Sequence, residues 1–373
     1  MKQLGFGTMR LPMPDPQIQS QVDMEQVCSM VDLFLERGYT YFDTAYFYHD
    51  HNSECVVREA LVKRYPRDSF VLADKLPMSS LKDGDEAKQD AIFHEQLDKC
   101  GVEYFDYYLL HCLTKSNYET AQRLNTFAYL QAQKEAGRIR HLGFSFHDTA
   151  ELLDRILTDH PETEFVQLQL NYLDWEDERI QSRKCWEVAC KHGKQIVVME
   201  PVKGGKLANV PAEVAELFRA AHPDWSPASW AIRFCAGLSN VFMVLSGMSN
   251  MAQMEDNTSF MQELTPLSQE DLAVVDKAVE ILSALPAVDC TGCRYCVDTC
   301  PRAIAIPDLF ALYNKDQLNL RNGNPIDKAA YQQICEENAR PTLCVECKGC
   351  EAICPQHLNI TGWLKRVGNL YEK

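Results

Sequence analysis

The chain has 373 residues, 46% of them hydrophobic, with 53 acidic side chains against 37 lysines and arginines and a formal charge of −16. That is enough apolar material for about two packed domains, and the acidic balance without clustered Lys or Arg argues against a nucleic-acid partner. No basic start leads into an apolar stretch and no apolar run approaches about 18 residues, so neither a signal peptide nor a membrane span is expected, and the protein reads as cytoplasmic.

Over residues 1–284 short apolar runs alternate with amphipathic stretches, the pattern of βα units in a parallel sheet. Strands are predicted at 4–8, 39–44, 70–76, 107–111, 139–145, 165–170, 196–200 and 241–246. Between them, Val27, Met30, Val31, Phe34 and Leu35 repeat at helical spacing up to a stop at Gly38. Leu124, Phe127 and Leu130 do the same up to Gly137. Eight such units favour an α/β fold closed as a (β/α)8 TIM barrel, with an open doubly wound sheet as the alternative. Helices at 250–260 and 269–285 lead on to a small C-terminal domain, 285–373, in which 308–318 is expected to be helical.

Eight of the sixteen cysteines form two copies of C-x2-C-x2-C-x3-C-P, at Cys290, Cys293, Cys296, Cys300 and at Cys344, Cys347, Cys350, Cys354. This is the bacterial ferredoxin spacing, in which three close thiolates hold one [4Fe–4S] cube and the fourth reaches to the other. The expected sets are therefore Cys290, Cys293, Cys296 and Cys354 for one cluster, and Cys344, Cys347, Cys350 and Cys300 for its partner. Structural zinc needs only two C-x2-C knuckles, and disulfides suit small secreted domains. The other eight cysteines follow no ligand rhythm and read as buried thiols.

Barrel active sites are built where strands end at the C-terminal face. There the chain places Asp43, Lys75, His111, Ser145, Gln169, Glu200 and Ser246. Burying a lysine or carboxylate without a partner costs several kcal/mol, so these groups are expected to share a pocket. Tyr48 follows the second strand and would fold over it. Carbonyl reduction needs a proton donor as hydride arrives, and a phenol with a pKa of about 10 is a weak one unless an ammonium lowers it. Lys75 would do so, Asp43 would pair with Lys75, and His111 would orient the carbonyl. The blander readings are a buried ion pair, an exposed loop tyrosine and a packing histidine. Glu200 reads equally as a cofactor ligand or a loop partner.

The segments FDTAYFYHDHNSE, LADKLP and LLHCL resemble the aldo-keto reductases. The order Asp43, Tyr48, Lys75, His111 corresponds to that family's catalytic tetrad, with Tyr48 as general acid. The tail, with GFGTMRLP and SGMSNMAQMEDN, is similar to bacterial members that carry a C-terminal ferredoxin-like domain. The resemblance implies a dinucleotide, NADP or NAD, bound without a G-x-G-x-x-G motif. Ser145, Gln169 and Met199 would hold the nicotinamide, and Pro201, Lys203, Gly204 and Gly205 would line the pyrophosphate. Ser246, Gly247, Met248, Ser249, Gln253, Asp256 and Asn257 would grip the adenosine end. Departures from the family pattern are Phe146 for Asn, Met199 for a stacking Tyr, and Met248 and Gln253 where Lys and Arg often meet the 2′-phosphate.

The resulting expectation is an NAD(P)H-dependent reductase of small aldehydes or ketones, or a dehydrogenase running the reverse alcohol oxidation, fused to two clusters. The competing class is an electron carrier with a redox partner protein and the barrel as docking body; a third is that the clusters are structural or redox-sensing. Nicotinamide gives two electrons as a hydride and each cluster takes one. No flavin fingerprint is readable, so direct exchange between the two is not expected.

Overall fold

Side chains alternate across a strand, so each strand offers one face to the inside of the barrel and one to the surrounding helices. The structure, a computed structural model, describes residues 1–15 and 18–372. All eight expected strands are present: β1 Leu4–Gly7, β2 Tyr41–Asp43, β3 Val71–Leu76, β4 Phe105–Leu113, β5 Ile139–Phe146, β6 Phe165–Gln169, β7 Gln195–Met199 and β8 Val241–Ser246. They pair in parallel in chain order, and β8 closes on β1 through Leu4↔Val244, Gly5↔Leu245 and Phe6↔Ser246. The closed barrel is thus the observed topology, and the open sheet is excluded.

Inside the barrel Tyr41, Ala73, Leu109, Phe165, Val197, Met243 and Leu245 form one packed layer. The opposite faces, with Phe6, Phe42, Leu72, Leu110, Phe144 and Val198, pack against helices such as Met24–Glu36 and Pro227–Ala236. Gly143 takes an inward position that no side chain fits, because a Cβ there would stand 2.4 Å from the Phe165 carbonyl oxygen. Two residues beyond the inner layer, the same strands place Asp43, Lys75, His111 and Met199, again facing in. The apolar layer is the floor beneath these polar groups.

The chain divides into two units, Met1–Val202 with Phe218–Val275, and Lys203–Leu217 with Asp276–Lys373. The second unit therefore takes in a stretch from the loop after β7, which chain order alone would leave with the barrel. Its apolar core joins Val288, Ile304, Leu309, Phe310, Ile360, Leu364 and Val367. The expected helix at 308–318 runs from Ile306 to Arg321; Lys328–Glu337 and Ile360–Tyr371 are additional helices. Among the described residues no helix is long and apolar enough to cross a membrane.

Candidate active site and cluster cavities

Asp43 ends β2 and Lys75 lies near the end of β3, where parallel pairing brings the two strands side by side. The Lys75 ammonium donates to Asp43 Oδ1 at 2.6 Å and to the Thr44 carbonyl at 2.7 Å, and the lysine is only 1% exposed. Tyr48 sits on the turn after β2, its N–H donating to the Ala45 carbonyl. The Lys75 Nζ stands 5.0 Å from the centre of the Tyr48 ring. His111 meets that ring edge-on, with centroids 6.2 Å apart, and Phe47 lies 6.5 Å from the imidazole. The four expected residues converge on one end of the barrel.

β4 is irregular immediately after His111. Pairing with β5 shifts register between Leu110 and Leu113, and Cys112 adopts a left-handed φ of 57°. Such a backbone costs a non-glycine residue roughly 1–3 kcal/mol. The Cys112 N–H donates to Ser145 Oγ at 2.7 Å, and Asn117 Nδ2 donates to its carbonyl at 2.7 Å, so both ends of the kinked peptide are held.

Burial raises the Asp43 carboxyl, and Lys75 partly offsets this. Burial, with help from Lys75 and His147, holds His111 well below the ordinary imidazole range. The ring is therefore neutral near pH 7, a hydrogen-bonding group rather than a cation. The Tyr48 hydroxyl contradicts the sequence-based expectation of a lowered pKa. Burial pushes it well above the ordinary phenol value, Asp43, Glu200 and Asp74 push the same way, and Arg10 opposes them. The ammonium at Lys75 is largely neutralised by the carboxylate it touches, so desolvation dominates at the phenol. Tyr48 is thus held in its protonated form.

Ser145 is buried and accepts the Cys112 N–H, which leaves its own O–H to donate. Gln169 donates to Asp174 Oδ2 at 2.9 Å, and its backbone carbonyl accepts from Ser182 Oγ. Met199 ends β7, and Pro201 begins the turn that follows it. A hydroxyl donor, an amide and a thioether suit a planar carboxamide ring. Ser246 does not join this group: its Oγ accepts from Asn257 Nδ2 at 2.8 Å, on the helix Met251–Phe260. Gln253 Oε1 accepts the Ser249 N–H, Asp256 accepts from Ser226 Oγ, Met248 is buried, and Gly247 lies against the Arg10 stem. Lys203, Gly204 and Gly205 belong to the second unit. There Gly204, at φ 63°, abuts Thr291 so closely that a Cβ would stand 2.6 Å from the Thr291 carbonyl oxygen.

Several supporting residues went unread in the sequence. Asp74 is fully buried, accepts the Lys75 N–H at 2.8 Å, and is pushed well up by burial and by Glu54. Gln96 donates to Glu54 Oε1 and to the Lys75 carbonyl and accepts from the Tyr108 hydroxyl, while Lys99 pairs with Glu54. Asn171 and Asp174 share a hydrogen bond behind Gln169; Glu200, which the sequence did single out, lies 3.7 Å from Arg10. An Asp beside a strand-end Lys, and Asn171 with Asp174 three residues later, were the available signals; the helix partners gave none.

In the second unit the cysteines surround two separate cavities. One is lined by Cys290, Cys293, Cys296 and Cys354; the other by Cys300, Cys344, Cys347 and Cys350. Each run thus contributes three thiols to one cavity and its fourth to the other. Among the described residues no three His, Cys, Asp or Glu side chains converge as a single-ion site. Thiols spread around a cavity fit a multi-iron cube better than a mononuclear metal. Burial raises the Cys296 thiol to about 12 and the Cys350 thiol to about 11. Those thiols must lose protons when iron binds.

The aldo/keto reductase family model matches residues 3–280, and a 4Fe-4S dicluster domain model matches residues 289–359. The chain belongs to the aldo/keto reductase family and carries a C-terminal 4Fe-4S dicluster domain. An aldo-keto reductase of Mycobacterium avium is 26% identical over 234 residues, 62% of this chain and 75% of that protein. A 9,11-endoperoxide prostaglandin H2 reductase of Trypanosoma cruzi is 23% identical over 281 residues, 75% of this chain and 88% of that one. Two solved folds are alike: the holo form of a Bacillus halodurans aldo-keto reductase (TM-score 0.59, 24% identity, 74% of this chain and 91% of that one), and a Klebsiella pneumoniae aldo/keto reductase in complex with NADP and acetate (0.58, 18%, 74% and 90%).

Proposed function

We propose that the barrel reduces small aldehydes or ketones, or oxidises the corresponding alcohols, with NADP or NAD, and that the second unit holds two [4Fe–4S] clusters. The observation that carries the first part is the convergence of Tyr48, His111 and the Lys75–Asp43 pair at one end of the barrel. Bound nicotinamide supplies the hydride. Ser145 offers its O–H to the carboxamide, and Met199 offers a polarizable surface to the ring. His111, neutral, hydrogen-bonds the substrate carbonyl and sets its direction. Tyr48 gives its proton to the carbonyl oxygen as negative charge develops there. Lys75, fixed by Asp43, stabilises the phenolate that this transfer leaves, and so favours the transfer even though burial keeps the resting phenol protonated. The Klebsiella structure holds NADP; Met248 and Gln253 supply no cation for a 2′-phosphate, which leaves NAD equally suited.

The two cysteine-lined cavities support two clusters with crossed ligands, Cys290, Cys293, Cys296 and Cys354 for one and Cys344, Cys347, Cys350 and Cys300 for the other. The test is NAD(P)H oxidation over a panel of carbonyl compounds. Tyr48→Phe should lower kcat at least about a hundredfold, the usual scale for a lost general acid, while Cys347→Ala leaves it within a few-fold. The reverse ranking would favour the electron-carrier reading.

A further inference from the structure

The two cysteine cavities differ in their walls. Around Cys290, Cys293, Cys296 and Cys354 stand Ile306, Pro307, Phe310, Pro355, Leu358 and Ile360, all buried, and the one cation, Arg294, donates to both oxygens of Asp308 at 3.1 and 3.2 Å. Around Cys300, Cys344, Cys347 and Cys350 the inner wall is again buried, with Ile304, Ile306 and Leu364, but the outer side is exposed. Cys347 is exposed, Val345 is 51% exposed, and Leu343 beside Cys344 is 56% exposed. Two exposed cations, Arg302 and Lys348, line the same cavity, and neither forms an ion pair among the described residues. Of the acidic neighbours, Glu346 pairs with Lys365 at 2.8 Å, while Glu351, which accepts from Thr361 at 2.8 Å, keeps its charge. On a chain of charge −16 this is a local basic rim with an apolar centre.

We propose that this rim is the docking surface for a small acidic one-electron carrier protein, and that electrons enter the second unit through the Cys300, Cys344, Cys347, Cys350 site. This rests on reading the second unit as a two-cluster module. Leu343 and Val345 supply the dry contact and Arg302 and Lys348 the steering, over the small area that transient electron-transfer complexes bury. The step moves one electron: the carrier is oxidised by one, the cluster behind Cys347 is reduced by one, and no bond or proton is exchanged.

The probe is reduced flavodoxin, mixed anaerobically with the full reconstituted chain, with cluster reduction followed by EPR and stopped-flow absorbance. The second-order rate should fall with added salt, and Arg302→Glu with Lys348→Glu should lower it at least about tenfold, as reversed rim charges do. Val345→Glu, a separate disruption of the apolar centre, should also slow it. Iron content, reduction by dithionite and carbonyl reduction should stay as in wild type, which separates failure at the rim from failure of the two-cluster reading. Unchanged rates in both variants, or undiminished reduction by flavodoxin in Cys347→Ala with only the other cluster present, would overturn the proposal.

Discussion

Replacing Lys75 by methionine removes one half of a buried ion pair while keeping most of the side-chain volume. In the wild type the ammonium lies 2.6 Å from Asp43 Oδ1 and 2.7 Å from the Thr44 carbonyl. Asp43, 3% exposed, already has Oδ2 without a hydrogen-bond partner, and the variant strips Oδ1 as well. Opposite charges about 4 Å apart attract by about 4 kcal/mol at an effective dielectric of 20, and removing one partner of a buried pair typically costs about 3–5 kcal/mol. The loss should depend on pH. Burial holds the folded Asp43 carboxyl above its ordinary value and Lys75 opposes that, so the carboxyl rises further in the variant. A raised folded pKa means that stability present below the unfolded pKa is lost as pH rises through the folded one. The deficit should therefore be small in acid and reach its full size at neutral pH. Urea unfolding of the full chain followed by tryptophan emission is the assay, because Trp175, Trp186, Trp225 and Trp230, four of the five tryptophans, lie in the barrel unit. A loss below about 1 kcal/mol at neutral pH, or one that shrinks as pH rises, would show that the pair is not the buried anchor described.

His111 is held neutral in the folded barrel, so acid should weaken the barrel as pH falls below about 6.5, where the unfolded imidazole begins to bind protons that the folded one refuses; His111→Gln should flatten that part of the urea stability profile. In Gly204→Ala, the added Cβ meets the Thr291 carbonyl oxygen at 2.6 Å with φ at 63°, so thermal unfolding of the second unit and its retained iron should both fall, by at least the roughly 1–2 kcal/mol of a left-handed alanine. Crossed ligands predict that Cys290→Ala and Cys354→Ala combined damage the same site, leaving about four of eight irons; loss of nearly all iron would mean that each run serves its own cluster.

The barrel was legible because short apolar runs, helical spacing and glycine stops act locally, and all eight strands fell where the apolar runs were. The convergence of Asp43, Lys75 and His111 was legible for a related reason: they occupy strand ends that a shared pocket explains. The grouping of the eight cysteines around two cavities matches their spacing, since a tight loop turns three sulfurs together. What the sequence hid were contacts made across elements. Gln96 and Lys99 come from a helix to brace Lys75 and Glu54, and nothing in their own neighbourhood marks them. The sign of the Tyr48 shift was missed because it depends on how much water the closed barrel excludes, and the partner of Lys75 cancels the field that spacing suggested. Ser246 looked like a pocket residue, yet it ends its strand on the outer face and meets Asn257.

The central claim, that this barrel moves a hydride between nicotinamide and a carbonyl carbon with Tyr48 supplying the proton, is tested most directly by isotope. Single turnovers would be run with NAD(P)H deuterated at the transferable position of nicotinamide C4, on any carbonyl compound found active, and the product alcohol read by mass spectrometry and NMR. The account predicts one deuterium on the carbinol carbon and almost no labelled product from Tyr48→Phe. Deuterium lost to water, or labelled alcohol formed at the wild-type rate by Tyr48→Phe, would contradict it.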